Sequence, residues 1–436
     1  MSLHYLSLAE VATLIRTRAL SPVEAVQAQL ARIRELDPTL NAYTLVTEES
    51  ALVDARAAEV EIMAGNYRGP MHGIPIAVKD LFFTKGVRTQ GGLKVLAGHF
   101  PERDAVAVER LRQAGAIVLG KLHTTEGAMD GYHRDFPIPS NPWDARRWPG
   151  VSSSGSGVAV AAGLCYAALS TDTGGSVRIP AAANGIAGLK PTRGLVSTEG
   201  VLPLAPSFDT VGPMARSVGD AAILLQALTG AHLETPPMAG VRIGFDEERC
   251  SNEAVRVLKT CGARVVAACL PALDEVSEIW YTIAATEAAL AHRETFPARH
   301  AEYGEGFREF LERGQSISAM AYDDAQKRRA IWSARVEEWF RDFDVFVCPS
   351  LPGEAFRYNP EDAYRGQGNG IPAAYLTAMD RLVLPFNLNG YPALSVPCGV
   401  SAEGMPLGLQ LAGPAGSERL LLACGTVLEH LRHPPV

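Results

Sequence analysis

The stretch TDTGGSVRIP, Thr171 to Pro180, sets two glycines directly before a serine. Glycine lets the backbone turn sharply, so consecutive N–H groups can converge beside the Ser176 hydroxyl and hold an oxyanion there. Upstream, Gly150-Val-Ser-Ser-Ser-Gly-Ser-Gly157 supplies a second cluster of hydroxyls, and further back Lys79 closes the apolar run from Gly73 to Val78. From Pro149 to Gly194, Ser, Gly and Thr clusters interrupt apolar segments, a pattern that reads as site-forming turns on a rigid scaffold.

Outward from this region, helical and strand patterns alternate. Ser7 with Glu10, and Ser21 with Pro22 and Glu24, are capping boxes that open two helices. In the second, Val23, Val26, Leu30 and Ile33 recur at helical spacing, and Asp37-Pro38 is expected to stop it. A helix over about 49–64, a strand ending at Lys79, a helix from Ala105 to Gln113 and a strand from Ala116 to Leu119 follow. Later come a strand over 241–245, an Arg-rich helix from Asp323 to Arg341, a strand from Val345 to Cys348, and Gly/Pro-punctuated strand from Leu382 to Gly413. This alternation predicts an α/β protein with a mixed or parallel sheet covered by helices.

The 436 residues, 47% hydrophobic and 20% charged, are ample for a buried core and exclude disorder, collagen and coiled coil. A net charge of −8 offers no broad positive field for phosphates, which argues against nucleic-acid binding as the main activity. The opening MSLHYLSLAE lacks a signal-peptide pattern, and no apolar window is long enough for a membrane span, so a soluble cytoplasmic protein is expected. The seven cysteines are scattered and never form C-x-x-C, which points to reduced, mostly buried thiols and to no metal site.

Two motif matches fail, and two familiar motifs are missing. Gly115-Ala-Ile-Val-Leu-Gly-Lys121 has phosphate-loop spacing, but Leu122 stands where Ser or Thr would hold magnesium, and the intervening residues are strand-like. Val78-Lys79 with His133-Arg-Asp135 resembles kinase signatures, yet no Asp-Phe-Gly follows. No Gly-x-Ser-x-Gly elbow or His-Glu-x-x-His pair occurs. A serine without an evident histidine needs another base, and a buried neutral lysine can serve. The chain has only seven lysines against 33 arginines, which draws attention to Lys79 at the end of its strand.

These residues resemble the amidase signature family. TDTGGSVRIPAA and GLKPTRG are its diagnostic segment, supported by HGIPIAVKD, NPWD, LPFNLNGYPALSVPCG and MPLGLQLAG, whereas about Ala231 to Met379 is not diagnostic. The resemblance implies one α/β domain spanning 1–436, with a mixed central β-sheet covered by helices on both faces. Within it lie N-terminal helices (1–65), a catalytic signature core (66–228), a divergent substrate-shaping segment (229–379) and a return to the core sheet (380–436). It further implies amide hydrolysis through a Ser-cisSer-Lys triad and an acyl-enzyme, with no metal and no organic cofactor.

Carried onto this sequence, Ser176 is the nucleophile, Lys79 the base, and Ser152 the middle serine preceded by a cis peptide bond. Thr173, Gly174, Gly175 and Ser176 supply the oxyanion N–H groups. Ser153 tightens the network around Lys79, and Asp172 with Arg178 forms a structural ion pair. Gly127, Ala128, Met129 and Asp130 line the acyl site, with Asp380 and the divergent segment at its outer wall. Val151 and Ser154 stand where the family has glycines, which bears on loop geometry.

The implied partner is a small-molecule amide, with no membrane and with nucleic acid only if the chain serves a tRNA-dependent amidotransferase; a homodimer is left open. The alternatives are the glutaminase (A) subunit of that amidotransferase, which carries an acidic residue near Asp380's position, and an allophanate hydrolase-like enzyme. A family member without chemistry, acting as a binding or scaffold protein, is the contrasting class. The intact Lys79, Ser152 and Ser176 argue against it.

Overall fold

Side chains alternate across the strands, and the two faces of one sheet bury them separately. In the computed structural model, which describes residues 3–250, 252–271, 274–365 and 370–431, eleven strands pair into that sheet. They are β1 (Tyr43–Val46), β2 (Pro75–Lys79), β3 (Ile117–Leu122), β4 (Ala167–Asp172), β5 (Ala187–Lys190), β6 (Thr210–Ala215), β7 (Arg242–Phe245), β8 (Arg264–Ala267), β9 (Val345–Pro349), β10 (Ala393–Val400) and β11 (Pro406–Ala412). Their order is β1-β3-β2-β4-β6-β5-β10-β11-β9-β7-β8. β2 runs parallel to β3 and β4, and β7 to β8 and β9, while the other pairs are antiparallel. The sheet is therefore mixed.

On one face Ile76, Val78, Val118 and Leu169 pack with Leu8, Val11, Leu224 and Leu421 from covering helices. On the opposite face Ala77, Ile117, Leu119 and Ala168 meet Val26, Leu30, Ile33 and the Ser154–Ala161 helix. A third cluster, built on Phe346, Cys348 and the helices Val276–Ala291, Glu305–Ser316 and Ala319–Trp339, forms the core of the divergent segment. Among the described residues no helix is long and apolar enough to cross a membrane.

Both capping boxes form as expected. The Asp37-Pro38 stop does not, since the helix runs Pro22–Leu40 with Pro38 inside its last turn. A proline so near the end removes one backbone bond only. The chain turns instead at Asn41, in the left-handed conformation, with the Asp37 carboxylate accepting the outgoing N–H of Ala42 at 2.7 Å.

Two other segments are more regular than expected. The stretch 149–194 holds the helices Ser154–Ala161 and Arg178–Asn184 and the strands β4 and β5, with turns only between them. The tail expected as strand from Leu382 begins with helices at Ala373–Val383 and Pro385–Leu388, and strand starts at Ala393. All seven cysteines are free, but only Cys165, Cys348 and Cys424 are buried; Cys261 and Cys269 are exposed.

Candidate active site

Lys79 ends β2 and Asp172 ends β4, neighbouring parallel strands whose carboxyl ends are where open α/β sheets place their ligands. Lys79 is fully buried and donates to Ser152 Oγ at 2.7 Å and to Thr171 Oγ1 at 3.0 Å. Burial pulls its pKa down to about 7, against the opposing pull of Asp172 and Asp209. The amine is thus poised between its charged and neutral forms near neutral pH.

The Val151–Ser152 peptide bond is cis, as the resemblance implies. Gly150, at φ +79°, lies so close to Pro180 that a Cβ there would meet its Cα at 2.6 Å, so only glycine fits. Ser153 donates its N–H to Ser176 O at 3.3 Å, which joins the two serine segments. Its hydroxyl reaches Thr171 O at 3.3 Å rather than Lys79. Thr171, a direct partner of Lys79, opens the diagnostic segment, but nothing in the sequence marks it as the lysine's partner. The two departures also find places: Val151 becomes an apolar wall of the pocket, and Ser154 Oγ accepts from Tyr132.

Asp172 and Arg178 are wholly buried and doubly paired, with Nη2–Oδ1 and Nε–Oδ2 both at 3.0 Å. Burial opposes ionisation of Asp172, yet Arg178, Lys190 and Asn387 together hold its carboxyl well below the usual range. The guanidinium also donates to Gln410 Oε1 and Asn387 Oδ1, both at 2.6 Å, and to Val383 O at 3.0 Å. Asn387 and Gln410 lie in the LPFNLNG and MPLGLQLAG blocks, and holding Arg178 is the role the structure gives them. Lys190, the lysine of GLKPTRG, is a further buried lysine whose pKa burial lowers to about 7.

The same carboxylate takes one of the N–H groups expected to hold the oxyanion. Gly175 N–H donates to Asp172 Oδ1 at 2.8 Å and is committed there. The N–H groups of Thr173, Gly174 and Ser176 have no acceptor among the described residues. Trp280 Nε1 donates to Thr173 O at 2.9 Å, and Thr173 Oγ1 to Asp209 at 2.6 Å, so the loop is held from outside.

Ser176 opens into a narrow pocket shared with Asp130, Asp380, Trp280 and Tyr281. Ala128 and Met129 line it, and Gly127 does not. Gly127 faces Phe307, whose ring a Cβ would meet at 2.4 Å, and donates its N–H to Gly91 O at 2.9 Å. Burial pushes the Asp130 carboxyl up to about 6, and burial with the nearby Asp130 pushes Asp380 to about 7. Trp280 and Tyr281 come from the divergent segment, which carries no recognisable motif, so the sequence shows them only as an unspecified outer wall.

Lys121, the lysine of the rejected phosphate-loop match, is on β3 and buried. It faces Asp80 Oδ1 at 3.8 Å and donates to Thr89 Oγ1 at 2.8 Å and to Phe82 O. Lys121→Ala should strip a buried carboxylate of its partner and lower unfolding stability by about 3 kcal/mol. Urea denaturation of the variant measures this; an unchanged midpoint would contradict it.

The amidase family profile matches residues 24–422. AmiD of Mycobacterium tuberculosis is 40% identical over 461 residues, covering 99% of this chain and 96% of that protein. The glutamyl-tRNA(Gln) amidotransferase (A) subunit of Chloroflexus aurantiacus is 38% identical, covering 98% and 97%. Among solved structures, an amidase superposes with TM-score 0.88 at 34% identity, covering 98% of this chain and 100% of the other. The peptide amidase of Stenotrophomonas maltophilia superposes with TM-score 0.83 at 30% identity, covering 99% and 98%. With a matching profile over nearly its whole length and this single mixed-sheet fold, the chain belongs to the amidase signature family, hydrolases of carbon–nitrogen amide bonds.

Proposed function

We propose that the chain hydrolyses a small carboxylic amide through Ser176, Ser152 and Lys79, by way of an acyl-enzyme. The observation that carries this reading is the buried Lys79 Nζ within 2.7 Å of Ser152 Oγ, beside a serine that opens into a pocket. Neutral Lys79 takes the Ser152 proton as Ser152 takes that of Ser176, and Ser176 Oγ bonds to the amide carbonyl carbon. The oxyanion accepts from the uncommitted N–H groups of Thr173, Gly174 and Ser176. Collapse breaks the C–N bond, and the proton held by Lys79 returns through Ser152 to the leaving nitrogen, releasing ammonia or an amine. Water then enters, gives its proton along the same path, and frees the carboxylate and Ser176.

The arrangement of Asp130 and Asp380 supports an acyl group that bears an amine, because ionising two neighbouring carboxyls is easier with a cation between them. Asp380 also favours a second reading, the glutaminase component of an amidotransferase, in keeping with the amidotransferase relatives. Butyramide and β-alaninamide have the same number of heavy atoms and differ at the far end, methyl against ammonium. Ammonia release by the isolated chain should show kcat/KM at least about 10-fold higher for β-alaninamide, a preference that Asp380→Asn removes. Equal values would contradict the acidic-end assignment, and release from glutamine alone would favour the second reading.

A further inference from the structure

The pocket wall formed by Ala128, Met129 and Asp130 is a short loop whose two ends grip the same neighbouring segment. At its start Thr125 N–H donates to Ser152 O at 3.2 Å. At its end the Tyr132 hydroxyl donates to Ser154 Oγ at 2.6 Å, with both residues buried. Between these points Gly127 and Ala128 both adopt left-handed backbone, at φ 56° and 64°, and Glu126 N–H closes the turn on Gly131 O at 3.0 Å. The wall is thus a compact turn hung from the residues on either side of Ser153. Of its two anchors to that segment, only the Tyr132–Ser154 bond joins two side chains, so it can be removed without touching a backbone group. The hydroxyl that accepts it sits where the family pattern has glycine, so the acceptor is a feature of this sequence rather than of the shared loop.

We propose that Tyr132 and Ser154 are positioning residues for acyl-group recognition: their hydrogen bond fixes the Ala128–Asp130 wall relative to Ser152 and Ser176 and so sets substrate affinity and selectivity. This rests on the amide-hydrolysis reading for its kinetic consequences, but its structural part stands independently. Tyr132 ends this loop and is not among the residues that line the pocket. Its N–H also donates to Ala363 O at 3.0 Å, so the ring stays docked when the hydroxyl alone is deleted. Loosening the wall should weaken binding of substrate and transition state alike, which raises KM with little change in kcat. A purely structural bond would lower the melting temperature and leave KM and selectivity alone.

The test uses the full chain with Y132F, S154A and the double variant. Hydrogen–deuterium exchange over 125–132 reads the wall without requiring turnover, and each single variant should exchange about 10-fold faster at 128–130 than wild type. KM for β-alaninamide should rise about 3–10-fold with kcat within about two-fold, and the preference over butyramide should shrink by a similar factor. The double variant should resemble either single one, since the bond is lost once. Exchange and KM within about two-fold of wild type in both single variants would overturn the proposal. So would faster exchange with unchanged KM, or a fall in kcat alone. Where one single variant does not fold, the other decides. Turnover surviving in Ser176→Ala would instead fail the hydrolysis reading, and the exchange arm would still judge the clamp.

Discussion

In Ser176→Ala, kcat for amide hydrolysis is expected to fall by at least about 10⁴-fold while the melting temperature stays within a few degrees of wild type. The proposed scheme has one atom that bonds to the acyl carbon, and no water is activated in its place while the acyl-enzyme is missing. The fold should survive because Ser176 is half-buried and its replacement leaves the Asp172–Arg178 pairing and the committed Gly175 N–H untouched. A steady-state assay with a circular-dichroism melt checks both halves. Turnover above a few per cent of wild type would remove Ser176 from the chemistry. Lys79→Ala combined with Ser176→Ala should be little worse than either alone, since members of one catalytic unit are not additive.

The second large effect is in pH. Burial holds Lys79 at about 7, and the base must be neutral to accept a proton. Activity should therefore be present above that value and lost as pH falls through it: with butyramide, whose methyl end draws no charge on Asp130 or Asp380, kcat/KM rises with a single ionisation near 7 and then levels. An exposed lysine would give a limb near 10.4 instead. Stability carries the same sign. The unfolded lysine binds a proton between about 7 and its ordinary value while the folded one does not, so this group costs stability at low pH and the cost fades as pH rises. Lys79→Ala should lose at least about 10³-fold in kcat/KM and lose the limb with it. Lys327, exposed and paired with Asp323 on the outer helix, is the control; Lys121 is not, because its removal attacks the fold. Measurements from pH 5 to 10 with stability followed in parallel decide the matter, and a flat profile would contradict a titrating Lys79.

What is legible in the sequence is what is encoded locally. Capping serines, the strand ending at Lys79 and the glycine-flanked serines announce themselves because each depends on residues a few positions apart. Asp37-Pro38 misleads because the cost of proline depends on how many helical bonds remain, and Asn41 supplies the actual stop. The helices from Ala373 to Leu388 escape notice because Pro385 and the glycines beyond them dominate the local pattern. Within the site, the commitment of Gly175 N–H to Asp172 and the grip of Asn387 and Gln410 on Arg178 are hydrogen bonds with no sequence period. Trp280, more than a hundred residues from the nucleophile, reaches it only through folding. Ser154 is visible as a departure from the family pattern, but its partner Tyr132 is not.

The central claim is that Ser176, activated through Ser152 and Lys79, becomes acylated. Its most direct test is to treat the chain with a serine-directed fluorophosphonate and localise the adduct by fragmenting the peptide that contains both Ser152 and Ser176. The account predicts one adduct per chain, on Ser176, formed faster as pH rises through about 7 and lost in Lys79→Ala. An adduct on Ser152, or labelling that is indifferent to Lys79, would contradict it.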